Sequence, residues 1–287
     1  MSHAAHVGGP AAHDGGDAAH DSGDAAHDGG HVARHAGAGA ARAASFPGGV
    51  GLSHLRVYDW PTPDGAGAAG GGTPHLHTVS GEAYVVLGGS GGVQTLGSAG
   101  YAEHDLAAGT VLWFTPGTVH RLVNDGDLEI LVVMQSSGLP EAGDAVLTFP
   151  PEVLDDAARY AEAARLPTGD ALEVATAARR RRDLALTGYA DLVDAVQRRG
   201  PAALVGLYDA AARLVAHEIP GWRQTWEAGA LAQTRATDEA LTALAAAAGQ
   251  GAAHLADATT RSVVADPGPR HAGMCGWLRT YPLPPRG

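Results

Sequence analysis

The stretch from residue 48 to 149 is cut into short apolar runs by glycine-bearing breaks, and that punctuation limits what it can fold into. The runs fall at 52–60, 73–79, 82–87, 92–96, 101–106, 110–115, 119–124, 128–135 and 145–149. Gly88-Gly89-Ser90-Gly91-Gly92, Ala107-Ala108-Gly109 and Asn124-Asp125-Gly126-Asp127 stand between them, and all are turn formers. Short strands about ten residues apart, joined by such turns, predict an antiparallel barrel or sandwich. The glycine-rich run 65–72 reads as a mobile loop at its mouth.

Two of these runs carry chemistry. His75 and His77 are two apart, so on a strand both imidazoles point to one face. The chain then turns at Ser80-Gly81, and Glu82 opens the next apolar run, where it can face back across the hairpin. Downstream, Gly117-Thr118-Val119-His120 supplies a third imidazole. Three nitrogens and a carboxylate form a mixed ligand set that suits one divalent transition metal: Fe, Mn, Ni, Zn or Co.

The pattern H-x-H-x4-E over His75, His77 and Glu82, followed by E-x5-G ending at Gly88, resembles the first motif of the cupin superfamily. Gly109, Pro116-Gly117, His120 and Asn124 resemble its second motif, except that Thr115 stands where the family usually has proline, a change in a turn and not in a ligand. The resemblance covers about residues 50 to 150. It implies a small antiparallel β-barrel of jelly-roll type that holds a metal through His75, His77, Glu82 and His120.

The rest of the chain reads differently. Residues 1–45 repeat a seven-residue unit such as Ala11-Ala12-His13-Asp14-Gly15-Gly16-Asp17, with almost no large apolar side chain to offset the cost of ordering. We expect a disordered tail there, a cupin β-barrel over 46–150 and an α-helical region over 151–287. After Pro150-Pro151 the apolar spacing becomes helical, over 152–164, 171–185, 188–199, 202–217 and 237–248, with Leu204, Leu207, Tyr208, Ala211 and Leu214 making one stripe. Pro282-Leu283-Pro284-Pro285 reads as a frayed end.

Composition excludes several chemistries. Every one of the 19 basic residues is arginine, so no Schiff-base or phosphate-loop lysine exists. A net charge of −12 argues against binding nucleic acid through its backbone. The single cysteine, Cys275, fits a reducing compartment, and no leader pattern or long apolar stretch is seen. A cytoplasmic location with no membrane partner is expected.

Other residues receive blander readings. Asn124 reads as a hairpin residue, His104 as part of an exposed charged edge, and Arg179-Arg180-Arg181-Arg182 as a solvated patch. Cys275 reads as an inert thiol. His54, His217, His254 and His271 receive no role. Strand parity turns Tyr84 and Val86 to the side of Glu82, which makes Tyr84 the polar group best placed to orient a substrate or pass a proton.

Among single-barrel cupins of this ligand set, the resemblance extends to quercetinase-like dioxygenases, to acireductone dioxygenase and to sugar-phosphate isomerases. A dioxygenase-type reaction on a small polar metabolite is the reading favoured, since some small quercetinase-like proteins also pair one barrel with helices. Glu82 would then be both ligand and base. The alternatives are a sugar or sugar-phosphate isomerase, which must recognise phosphate without lysine, and a non-catalytic metabolite-binding or sensory protein. The helical region covers the barrel mouth, mediates a homodimer, or does both.

Overall fold

Two long strands organise the β region of the computed structural model, which describes residues 46–247 and 252–281. The disorder expected for residues 1–45 and the frayed end expected at Pro282-Leu283-Pro284-Pro285 lie outside these. In chain order the strands are β1 (Gly51–Val57), β2 (Gly70–Gly71), β3 (His75–His77), β4 (Glu82–Gly97), β5 (Gly100–Ala107), β6 (Val111–Phe114), β7 (Val119–Met134), β8 (Ala145–Leu147), β9 (His271–Ala272) and β10 (Gly276–Thr280). β4 and β7 pair antiparallel along nearly their whole length, from Glu82 opposite Met134 to Leu96 opposite Val119. Register shifts between Val86 and Gly91 bend the pair, so that its two halves belong to two layers.

One layer runs β6-β4-β7-β1-β10-β9, and the other runs β5-β4-β7-β3-β8, with β2 beside β7. All pairings among the described strands are antiparallel, as the punctuation predicts, and they follow the jelly-roll plan that the resemblance implies. Asn124 therefore turns no hairpin. It sits at the bend of β7, fully buried, where its Nδ2 donates to Val57 O and its Oδ1 accepts from Gly126 N and Leu128 N.

Leu55, Val57, Tyr84, Val86, Leu106, Phe114, Leu122 and Ile130 fill the space between the layers. The outer face of the β3 layer is covered as well. There Leu76, Leu96, Val119 and Phe149 pack against Ala185, Tyr189, Val196 and Leu204 of the helical region. β3 and the start of β7 are consequently buried on both faces, and each large apolar side chain sealed in this way contributes about 1.5–3 kcal/mol.

The helices are α1 (Pro151–Leu154), α2 (Ala157–Ala164), α3 (Ala171–Arg199), α4 (Val205–Val215), α5 (Ile219–Trp226), α6 (Ala232–Ala247) and α7 (Ala253–Ala256). Asp156 and Asp170 cap α2 and α3 by accepting from the backbone N–H groups two and three residues on. α3 runs unbroken through Gly188, where sequence alone suggests a gap. That glycine permits contact with the barrel, since a Cβ there would stand 2.3 Å from Thr148 O. α5 starts at the Pro220-Gly221 break expected between helices, with the proline in its first turn, where its missing N–H costs nothing.

Two further expectations need correction. The region 151–287 is not helical throughout, because β9 and β10 return to the barrel and pair β10 with β1, Ser53 opposite Thr280. The 65–72 run is also packed rather than loose. Gly70 and Gly71 pair with β7, and Gly70 adopts φ 155° with its missing Cβ pointing 2.3 Å from Trp60 O. Arg121 clamps the start of this loop through Asp64 (2.5 and 2.9 Å), and Arg182 does so through Trp60 O and Pro61 O. No described helix is long and apolar enough to cross a membrane.

Candidate metal centre

β3, the start of β4 and the start of β7 bring His75, His77, Glu82 and His120 together, all buried, with one ligand atom from each within 4.8 Å of the others. Register explains the meeting. His75 pairs directly with His120 across the β3–β7 ladder, and the tight turn after β3 returns the chain at Glu82.

Two of the rings are fixed by hydrogen bonds from their other nitrogen. His75 Nδ1 lies 2.8 Å from Thr73 O, and His120 Nδ1 lies 3.1 Å from Thr118 O. A carbonyl only accepts, so each Nδ1 carries a proton and Nε2 is the atom each ring offers to a metal. The two Nε2 atoms stand 3.2 Å apart and face common space. Phe114 stacks on His120 at 4.5 Å and holds its plane.

Asp144 fixes His77 and the turn after it. This fully buried carboxylate accepts from Thr78 N (2.8 Å), Thr78 Oγ1 (2.6 Å), Val79 N (2.9 Å) and Ser80 N (3.0 Å), and its Oδ2 is 3.4 Å from His77 Nδ1. Burial works against its charge, yet His77, Thr78 and Ser80 hold the carboxyl well below its usual range. Burial likewise opposes a His77 cation, but Asp144 and Glu82 outweigh it and raise the imidazole to about 9. His75 is driven the other way, first by burial and then by its histidine neighbours, so it stays neutral.

Glu82 Oε2 lies 3.0 Å from His120 Nε2 and 3.4 Å from His77 Nε2, yet makes no hydrogen bond. Although burial disfavours its charge, His120 and His77 keep its carboxyl ionised well below the usual range. A buried carboxylate oxygen without a hydrogen-bond partner, beside imidazole nitrogens aimed at the same space, is costly unless a cation joins them. The residues therefore fit a metal ion, and the set of three nitrogens and one oxygen fits a divalent transition metal.

A cavity of about 350 Å³ opens onto His75, His77 and Glu82. Met134 stands opposite Glu82 and lines it with Leu55, Val132, Met274 and Leu278. Tyr84 shares the inward parity of Glu82 but is sealed from this cavity. Burial, with the Glu82 carboxylate and Cys275 next, pushes its phenol far above the ordinary range, and its hydroxyl has no hydrogen-bond partner.

Sequence reasoning missed the placement of four residues. Asp144 lies far from its partners in the chain and follows no motif. Cys275 arrives from the loop before β10, with Sγ 3.9 Å from Thr73 O and 4.0 Å from His75 Nδ1, and burial keeps its thiol protonated, consistent with an inert group. Arg181 and Arg182 are buried rather than solvated, because this part of α3 lies against the barrel. The signal that could have separated them from Arg179 and Arg180 is the apolar stripe through Ala178, Ala185 and Tyr189 on the same helix. His104 is exposed, as expected.

Residues 66–134 match the family model described as a cupin domain. No curated protein matches the chain. Among solved structures, a predicted oxalate decarboxylase from Thermotoga maritima is 30% identical over 21% of this chain and 51% of its own, with a TM-score of 0.19. A cupin protein from Bacteroides fragilis is 23% identical over 31% of this chain and 65% of its own, with a TM-score of 0.22. The TDP-quinovose 3,4-ketoisomerase from Campylobacter jejuni is 13% identical over 32% and 67%, with a TM-score of 0.26. The chain thus spans about half the length of the Thermotoga protein.

Proposed function

Residues 66–134 make this chain a member of the cupin superfamily, and from that premise we propose that it is a metal-dependent enzyme, with a dioxygenase-type reaction on a small metabolite. One observation carries the reading: imidazole Nε2 atoms and an unpartnered carboxylate oxygen converge at the base of an apolar-walled cavity. His75, His77, Glu82 and His120 would hold the ion. A metal bound there supplies a Lewis-acidic position and, if it is iron, a redox partner.

The chain's own residues divide the remaining work. Thr73 O and Thr118 O hold the planes of His75 and His120, and Asp144 stands beside His77, so little reorganisation is needed at the centre. Glu82, ionised and reachable from the cavity, accepts the proton of a substrate hydroxyl. Tyr84, expected to orient the substrate or pass a proton, has no place on the cavity wall and no hydrogen-bond partner, so we assign it no step. Apolar walls favour a substrate with an apolar body over a polyhydroxy sugar, whose hydroxyls would lack partners along Leu55, Val132 and Leu278.

The test compares the full chain with His120→Ala. Elemental analysis should show about one equivalent less transition metal in the variant, the histidines of residues 1–45 being common to both. Oxygen uptake with phenolic or enediol compounds should depend on that equivalent. Equal metal content in the two proteins overturns the metal centre, and no uptake with any divalent ion overturns the oxygenase reading in favour of a binding or sensory protein.

A further inference from the structure

We infer that Arg181 is an anion-recognition residue and that the substrate of this cavity carries a carboxylate. The inference rests on the cavity being the substrate site proposed above. Arg181 projects from α3 into the cavity wall and is 7% exposed. Its Nη1 donates to Ala164 O at 3.3 Å and its Nη2 to Gly273 O at 2.6 Å, which fixes the guanidinium plane. A guanidinium has five N–H donors, so these bonds leave further N–H groups on both Nη atoms, and Nε has no partner.

What distinguishes Arg181 is its missing counter-charge. The other two buried arginines are paired, Arg121 with Asp64 at 2.5 Å and Arg182 with Asp183 at 2.7 Å. Among the described residues no carboxylate pairs with Arg181, and the titratable groups around it are Tyr58, Tyr160 and Cys275, all neutral when protonated. A buried cation without an anion is expensive to keep. Here the cation borders a cavity whose base is the candidate metal centre, so an incoming anion would meet it there.

The anion's class follows from charge and shape. One guanidinium balances one negative charge, and its planar fork suits a carboxylate. A phosphate dianion would leave a charge unmatched, because the chain has no lysine and Arg121 points from the opposite face of β7 toward Tyr189. The cavity's other charged side chain outside the centre, Glu141, is itself acidic. The substrate is then a molecule with a carboxylate at Arg181, an apolar stem along Val132 and Leu278, and an oxygen group at the centre.

Calorimetric titration of the full chain with hexanoate, hexanamide and inorganic phosphate tests this, with EDTA-treated protein measured beside metal-loaded protein. Without metal, hexanoate should bind about tenfold tighter than hexanamide, one charge-assisted hydrogen bond's worth. Arg181→Gln should abolish that preference and Arg181→Lys should retain part of it. A purely structural staple between α3 and Gly273 predicts lower stability with an unchanged hexanoate-to-hexanamide ratio. Equal binding of acid and amide by the wild type overturns the inference without any variant, should Arg181→Gln fail to fold. An unchanged ratio in Arg181→Gln overturns it too, as does phosphate binding tighter than hexanoate. Because the preference is read without metal, it stands or falls apart from the metal reading, which metal content decides.

Discussion

Replacing Asp144 with Asn tests whether one buried carboxylate sets both the stability of the turn after β3 and the aim of His77. The side chains are nearly the same size, so packing is kept and only the hydrogen bonding changes. Oδ1 of the amide can still serve Thr78 and Val79. The NH2 group then faces Ser80 N, which donated to Oδ2 at 3.0 Å, and leaves a buried donor without an acceptor. Losing charge-assisted bonds costs about 1.5–3 kcal/mol and orphaning the donor about 1–3, which together predicts about 2.5–6 kcal/mol. The same NH2 group faces His77 Nδ1 at the position of Oδ2, 3.4 Å away. A donor there competes with the Nδ1 proton that the ring must keep while Nε2 ligates, and metal affinity should fall about 10–100-fold. Urea unfolding of metal-free protein measures the first effect, and competitive zinc titration the second. A stability loss below about 1 kcal/mol with unchanged zinc affinity would refute the reasoning.

Gly188→Ala should destabilise by about 1–3 kcal/mol in thermal unfolding, although alanine is the better helix former by about 1 kcal/mol, because its Cβ would meet Thr148 O at 2.3 Å. A stabilised variant would show that α3 does not press on Thr148 and Phe149 as described. Asp64→Asn should cost about 2 kcal/mol, between the ranges for exposed and buried pairs, since Asp64 is half exposed while Arg121 is buried. Arg121 and neighbouring donors outweigh burial and hold the Asp64 carboxyl well below its ordinary 3.8. Its contribution is therefore complete above that value and lost as pH falls below it. The gap between wild type and variant in denaturant midpoint should be constant from pH 5 to 8 and close in acid.

The residues legible in the sequence are those whose meaning is local. His75 and His77 share a face because strands alternate, and Glu82 follows a tight turn, so spacing places them. The glycine-marked runs give an antiparallel β fold for the same reason, and the helices after Pro150 follow from their period. Spacing says nothing about what lies across a layer. Asp144 acts on Thr78 across 66 residues and Cys275 lies against His75 across 200. Asn124 was misleading because its turn propensity is real, yet the buried carbonyls of Val57 and Tyr58 claim its side chain. The arginine run misled in the opposite way, since a helix face is solvated only if nothing packs on it.

The strand that returns from the far end of the chain also fixes an order in time. At about 5–20 residues per second of synthesis, the segment carrying Gly273, Cys275 and Leu278 emerges roughly 10–40 s after His75, given the 200 residues between His75 and Cys275. Until then β1 lacks its neighbour β10 and the cavity has an open flank. The nascent chain therefore passes through a stage in which its three histidines and Glu82 can already be assembled while their surroundings are still wet. Whatever is to sit at the base of the cavity has that interval to enter sideways, before the last strand closes the wall.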